Sequence, residues 1–160
     1  MRRREWIAMG ALATTLWSCG GAPQEARGDT VALGRYLQKL NGSPVVIFVW
    51  APWSRQAVEL EPTMAELAAE FQPFGVEFVT VALDADEGPA DSPLRLFYLE
   101  GSLPETMARF GVNEVPAILT LSPEGRLVHR LGSADGRLDP GDIADAIEAA
   151  TVAHDKRRSP

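Results

Sequence analysis

The stretch that most constrains the fold is the apolar run Val45–Trp50, which consists only of aliphatic and aromatic side chains. Such a run is typical of a strand buried on both faces of a sheet. A helix is predicted soon after it, because apolar residues recur there at helical spacing, at Leu60, Met64, Leu67 and Phe71. A helix that starts directly after a buried strand presents free N–H groups and its positive dipole end. The sequence therefore predicts an α/β protein whose strand-to-helix turn lies where a thiol pKa would be lowered.

That turn carries a recognisable motif with two substitutions. Residues 50–57 read Trp-Ala-Pro-Trp-Ser-Arg-Gln-Ala and resemble the Trp-Ala-x-Trp-Cys-x-x-Cys signature of thioredoxin-like proteins. Ser54 and Ala57 stand at the two cysteine positions, and Pro62 matches the proline that kinks the following helix. Residues 110–116 resemble the segment that ends in the cis-proline of these proteins. Over residues 30–153 the chain resembles the membrane-anchored TlpA/ResA-type thiol–disulfide oxidoreductases, or redoxins.

The resemblance implies a thioredoxin fold, an α/β architecture with a central mixed β-sheet flanked by helices. It also implies a cis Val115–Pro116 bond that faces the Trp53-Ser54 turn. The sequence pattern predicts helices at about 31–40, 93–99 and 103–110, strands at 76–83, 117–121 and 127–131, and a last helix from Asp139-Pro140. The acidic stretch 84–92 lacks the ligand order of a calcium loop and is predicted to be a solvated surface loop.

The N-terminal segment is predicted to direct export. Three arginines at positions 2–4 precede an apolar stretch, 6–17, that is too short for an ordinary membrane-spanning helix. Residues 16–19, Leu-Trp-Ser-Cys, resemble a bacterial lipobox, which implies cleavage before Cys19 and lipidation of that residue. A plain signal peptide with an incidental cysteine is the alternative. Residues 3–7 also resemble a twin-arginine signal, so the export route stays open.

These features divide the chain into four parts. Residues 1–18 are predicted to be a lipoprotein-type signal peptide and 19–29 a flexible tether, followed by the thioredoxin-like domain at 30–153 and a polar tail at 154–160. We expect the protein to be exported to the bacterial cell envelope and anchored to the membrane through Cys19, facing the periplasm or the exterior.

The net charge and the cysteine content limit which partners and which disulfide bonds the protein can have. The net charge is −7, and residues 1–18 contribute three arginines and one glutamate, so the remainder carries −9. Phosphate groups repel so acidic a body, which argues against nucleic acid as a partner. Cys19 is the single cysteine of the chain, so no intramolecular disulfide can form.

The substituted motif predicts that thiol chemistry is absent. Disulfide exchange needs one thiolate to attack and a second thiol to resolve the mixed disulfide, and Ser54 and Ala57 supply neither. Relatives place an acidic or polar residue two positions before the first signature tryptophan, where this chain has Phe48. Ser54 would need a nearby base to act as a nucleophile, and the two histidines are His129, predicted on a strand surface, and a residue of the tail. We therefore predict a helix-capping role for Ser54, with no catalytic residue, metal or cofactor.

The same region is predicted to bind other molecules. In redox relatives the signature and the cis-proline loop form the surface on which an extended peptide lies. The resemblance therefore implies a binding surface, made of Trp53, Ser54, Arg55, Val115 and Pro116. Trp50 is expected in the core, whereas Trp53 fits either the core or an exposed contact.

Two functions remain open at this point. The first is a non-catalytic module that binds envelope proteins or peptides. The second is a thiol–disulfide oxidoreductase family member that acts in a redox pathway with a cysteine-bearing partner.

Overall fold

The computed structural model describes residues 25–28, 30–84, 88–89, 92–99, 103–132 and 138–155. The strands within these ranges are β1 (Glu25–Gly28), β2 (Val45–Trp50), β3 (Glu77–Leu83), β4 (Arg95–Leu99), β5 (Ala117–Leu121) and β6 (Leu127–Gly132). The α-helices are α1 (Thr30–Lys39), α2 (Arg55–Phe71), α3 (Leu103–Phe110) and α4 (Pro140–Asp155), and a short 3-10 helix spans Gln72–Phe74.

The strands form one mixed sheet in the order β1-β4-β3-β2-β5-β6. Strands β1 to β4 run parallel, β5 runs antiparallel to β2, and β6 runs antiparallel to β5. All six residues of β2 are buried, and the strand is hydrogen-bonded along both edges, which accounts for its unbroken apolar sequence. The thioredoxin fold predicted from the sequence is confirmed.

The helices cover both faces of the sheet. The face that carries Trp50 is covered by α2, because the indole of Trp50 reaches the side chain of Glu61. The opposite face is covered by α1, where the ring of Tyr36 lies 5.1 Å from that of Phe97. The start of α4 lies beside the first half of α2, since residues of both helices line one cleft.

The parallel strands define two ends of the domain. We call the end where β2 finishes at Trp50 and α2 begins the upper end. The lower end is where β2 and β3 start, with Val45 paired to Glu77. The antiparallel strand β5 brings Ala117 opposite Val49, so the Val115-Pro116 loop also lies at the upper end.

Helix positions agree with the sequence patterns in α2 and α4. The predicted buried stripe of α2, which includes Met64, is buried in the structure. Asp139 caps α4 by accepting a hydrogen bond from the Gly141 N–H at 2.7 Å, and Ile143 and Ile147 are fully buried. The helix continues to Asp155, beyond the predicted domain limit at 153. No helix in the described ranges is long and apolar enough to cross a bilayer.

Two segments differ from their predicted structure. The prediction of a helical stretch at 93–99 is wrong, because Arg95–Leu99 form β4, with hydrogen-bonded neighbours on both sides. The aromatic and aliphatic run in this segment suits a buried strand, and it outweighs the helix-start cue of the preceding Ser-Pro pair. Residues Glu25–Gly28, which lie within the predicted tether, form β1 at the edge of the sheet. The predicted signal peptide, Cys19, residues 156–160 and parts of the acidic loop lie outside the described residues.

Candidate functional site

Ser54 connects two segments of the chain at the upper end of the domain. It is the N-cap of α2, with extended backbone angles, and its hydroxyl oxygen accepts the Ala57 N–H at 3.3 Å. The same hydroxyl donates to the carbonyl oxygen of Val115 at 2.8 Å. A serine hydroxyl has one proton to donate, and here that proton is engaged. These two hydrogen bonds join α2 to the Val115-Pro116 loop. They lie in the protein interior, because Ser54 is only 7% exposed.

The Val115–Pro116 peptide bond is cis, as the family resemblance implied. Val115 and Pro116 are both buried, and their loop leads directly into β5. The structure therefore brings the two halves of the predicted binding surface together, through the contact between Ser54 and Val115.

Strand β6 lies close to the segment that precedes the Val115-Pro116 loop. Gly111 has φ +61, and a Cβ at this position would lie 2.8 Å from a guanidinium nitrogen of Arg130. A Cβ on Gly132 would overlap the carboxylate of Glu114. Both glycines thus leave room for the side chains of Arg130 and Glu114, which lie between the 111–114 segment and β6.

Within the described part of the chain, the turn carries no thiol at either position of the signature. Ala57 is fully buried and offers only a methyl group at the second cysteine position. His129 pairs with Thr120, which in turn pairs with Val46, so this exposed histidine lies toward the lower end and not beside Ser54. Among the described residues, no group of three histidine, cysteine or carboxylate side chains is placed to hold a metal ion.

An interaction that the sequence analysis missed joins Trp50 to Glu61. The indole Nε1 of the buried Trp50 donates to Glu61 Oε1 at 2.7 Å. Partial burial raises the pKa of the Glu61 carboxyl above its usual value, and the hydrogen bond from Trp50 opposes that rise. The spacing of Glu61 in the sequence indicates that its side chain faces the sheet. Glu61 lies four residues after Ala57 and three before Met64, so it falls on the helical stripe that packs against the sheet.

Only two of the five predicted surface residues are exposed. Trp53 is 53% exposed, and the side chain of Arg55 is 92% exposed. Arg55 forms an ion pair with Glu59 at 2.9 Å, one turn along α2. The exposed part of the site therefore consists of the Trp53 indole and the salt-bridged Arg55, while the other three residues are buried.

Trp53 also stands at a position that has a purely structural role at many helix starts. It stands at the position before the N-cap, and Val58 stands at the fourth helical position, the pair that forms a hydrophobic staple at many helix starts. Both side chains remain substantially exposed, Val58 at 44%. A staple therefore leaves much of the Trp53 ring available for another molecule.

One cleft lies close to this turn, and another lies at the lower end of the domain. The first, about 280 Å³, separates the first half of α2 from the start of α4 and is lined by two carboxylates, Glu59 and Asp139. The second, about 470 Å³, lies at the lower end between the end of α1 and the turn after β5. Neither cleft is lined by Ser54 or Trp53. A third cleft, of about 260 Å³, lies beside the Val115-Pro116 loop, between residues 112–114 and the end of β6.

Solved structures of other proteins share this fold. A secreted disulfide oxidoreductase of Mycobacterium tuberculosis, homologous to E. coli DsbE, gives a TM-score of 0.57 at 22% identity over 70% of this chain and 85% of its own. A putative thiol:disulfide interchange protein DsbE from Chlorobium tepidum gives 0.56 at 24% identity, covering 74% and 84%. The exposed lipoprotein thioredoxin Etrx1 of Streptococcus pneumoniae gives 0.56 at 20% identity, covering 71% and 89%.

These similarities establish that the chain has the fold of thioredoxin-like thiol:disulfide oxidoreductases. No protein-family model matches the sequence, and no curated protein sequence matches it.

Replacing Ser54 tests its role as a structural joint. Ser54→Ala removes the cap of α2 and leaves the buried Val115 carbonyl without this donor. We expect the free energy of unfolding to fall by about 2 to 3 kcal/mol, measured by urea denaturation. Asp139→Ala is the matched control, because it removes only an exposed cap and should cost about 1 kcal/mol. Equal losses in the two variants would show that the bond to Val115 contributes nothing.

The Glu61 carboxyl predicts a pH-dependent contribution to stability. Its pKa is higher in the folded protein than in the unfolded chain, so the folded state binds more protons between the two values. This contribution therefore lowers stability as the pH rises through that window. Glu61→Gln keeps an acceptor for the Trp50 indole without the charge. We expect the stability of this variant, relative to wild type, to increase from about pH 4 to pH 7 in urea titrations.

Glu66→Gln controls for the loss of one negative charge, because Glu66 is an exposed residue of the same helix. If Glu61→Gln and Glu66→Gln follow the same pH profile, the buried contact of Glu61 has no role in the pH dependence.

Proposed function

We propose that this chain is a non-catalytic thioredoxin-fold module that binds proteins or extended peptides in the bacterial cell envelope. The observation that carries the proposal is the state of Ser54. At the position where the thioredoxin-like signature has its first cysteine, the side chain is a buried hydroxyl engaged with the Ala57 N–H and the Val115 carbonyl. The turn of the redox proteins is retained here as a structural joint.

The chemistry supports a role without catalysis. An alcohol is far less acidic than a thiol and does not form a disulfide, and a buried methyl group at Ala57 cannot resolve one. The single cysteine of the chain precedes the folded domain by several residues. A redox role in a pathway would therefore require a partner to supply both sulfur atoms, and no feature of the site favours that alternative.

The exposed part of the turn suits binding. Trp53 is 53% exposed and the side chain of Arg55, which is paired with Glu59, is 92% exposed, while the buried Ser54 joins this turn to the Val115-Pro116 loop. Aromatic side chains of this kind bury much area at low cost in conformational entropy, which makes them common at interfaces. An acidic body adds a preference for partners that are not strongly anionic, and it disfavours nucleic acid.

The proposed location is the outer side of a bacterial membrane, with the protein held by a lipid on Cys19. The basic and apolar N-terminal segment and the lipobox-like residues 16–19 support export and lipidation. One of the solved proteins with the same fold is described as an exposed lipoprotein.

A disulfide reduction assay tests the absence of catalysis. The purified protein should reduce insulin no faster than the dithiol reductant alone. The positive control is the double variant Ser54→Cys with Ala57→Cys, which places thiols at the start of a helix and one turn into it. Free backbone N–H groups should lower the pKa of the first thiol, so we expect this variant to gain activity. A wild-type rate clearly above the reductant background would overturn the non-catalytic proposal.

A capture experiment tests the binding surface. Tagged protein solubilised from its native membranes should retain specific partners, and Trp53→Ala should lose them. Phe74→Ala is the matched control, because Phe74 is an exposed aromatic residue (77%) at the opposite end of the domain. Equal capture by wild type and Trp53→Ala would remove the indole from the binding surface.

A further inference from the structure

The cleft between α2 and α4 lies close to the exposed indole of Trp53. It has a volume of about 280 Å³ and separates the first half of α2 from the start of α4. Its lining along α2 begins at Gln56, three residues after Trp53, so the chain between the two spans at most about 11 Å. The cleft therefore lies within reach of a molecule that is bound at Trp53.

The described lining of the cleft combines apolar and acidic side chains. Leu60, which is only 7% exposed, contributes apolar surface together with Leu138 and Pro140. Glu59 and Asp139 contribute one carboxylate from α2 and one from the start of α4. The volume lies just below the range of about 300 to 1,000 Å³ that is typical of small-molecule pockets. A single long side chain therefore suits this cleft better than a whole cofactor.

Both carboxylates can accept further hydrogen bonds. Asp139 uses Oδ1 to accept the Gly141 N–H at 2.7 Å, and an ionised carboxylate has about four lone pairs on its two oxygens. Glu59 is paired through Oε1 with Arg55, whose side chain is 92% exposed. Exposed ion pairs of this kind are weak, so a second cation can share the Glu59 carboxylate.

The two helices around the cleft form a strongly acidic surface. Residues 55–71 and 139–151 contain one cation, Arg55, and eight carboxylates, so their net charge is −7. The positive dipole ends of α2 and α4 together amount to only about one charge. Each of these ends is also capped by a side chain, by Ser54 and by Asp139. The potential in the cleft therefore favours a cation over an anion.

We propose that this cleft is a specificity subsite that binds a basic side chain of the peptide held at Trp53. The alkyl stem of that side chain packs on Leu60 and Leu138, and its cation lies between Glu59 and Asp139. An extended peptide advances about 3.3 Å per residue, so the basic residue stands within about three residues of the one that contacts Trp53. This inference rests on the peptide-binding role in the proposed function and adds a residue preference to it.

Selection from a display library of random ten-residue peptides tests the preference. The purified full chain is the bait, as wild type and as Trp53→Ala. We expect the peptides that wild type retains and Trp53→Ala loses to be enriched several-fold in lysine or arginine at one position. Retained peptides without this enrichment would overturn the subsite and leave the binding surface standing. If no peptide distinguishes wild type from Trp53→Ala, the proposed binding surface fails and the subsite fails with it.

A selected peptide and its norleucine analogue locate the cation. Norleucine at the basic position keeps an alkyl stem and removes the charge, and both affinities are measured by fluorescence anisotropy at low ionic strength. We expect wild type to bind the analogue about fivefold more weakly. The double variant Glu59→Gln with Asp139→Asn should bind the two peptides equally, because the carboxylates that recognise the cation are gone. Asparagine caps helices as well as aspartate does, so this variant retains the start of α4.

A charge-matched variant separates the cleft from the overall charge. Glu66→Gln with Asp145→Asn removes one exposed carboxylate from each of the same helices, outside the cleft. This variant should keep the fivefold preference, and an equal loss of preference in both double variants would overturn the subsite. Asp139→Asn alone leaves the ion pair of Arg55 with Glu59 in place and should reduce the preference about twofold. An unchanged preference in that single variant would remove Asp139 from the subsite.

Discussion

The pairing of β2 with β3 on one side and β5 on the other is the constraint on which the rest of the structure depends. Because β2 is buried on both faces and bonded along both edges, its register cannot shift without exposing apolar side chains. That register sets the level at which α2 begins after Trp50. It also sets Ala117 opposite Val49, which brings the Val115 carbonyl within reach of Ser54. The contact at the upper end is therefore a consequence of strand pairing.

The side chains at positions 54 and 57 determine whether this turn can carry out disulfide exchange. A thiol at the start of α2 would be exposed to the free N–H groups and activated by them. The hydroxyl of Ser54 instead satisfies one N–H group and one carbonyl, and it leaves the neighbouring indole of Trp53 in solvent. The geometry of the turn does not require a thiol, because capping and loop attachment need only a small hydroxyl.

Periodicity and motif predicted most of the fold, and the physical reason is that both report burial. The apolar run of β2, the stripe of α2 and the cap at Asp139 each depend on local sequence. The errors lie where a distant partner decides the structure. Residues Arg95–Leu99 become a strand because β3 and β1 lie on either side of them, and no local cue announces those neighbours. The hydrogen bond from Trp50 to Glu61 was likewise not predicted, because it depends on how α2 packs against the sheet.

The edge strand β1 has a consequence for the solubility of shortened forms of the protein. It covers the outer backbone edge of β4, whose last four residues are all buried and apolar or aromatic. A chain that began at residue 30 would leave the N–H and C=O groups of that edge open to any passing strand. Intermolecular pairing and precipitation are the expected result, even though the whole of the motif-bearing region would still be present. Residues 25–28 thus place a four-residue strand, and not the buried β4, at the edge of the sheet.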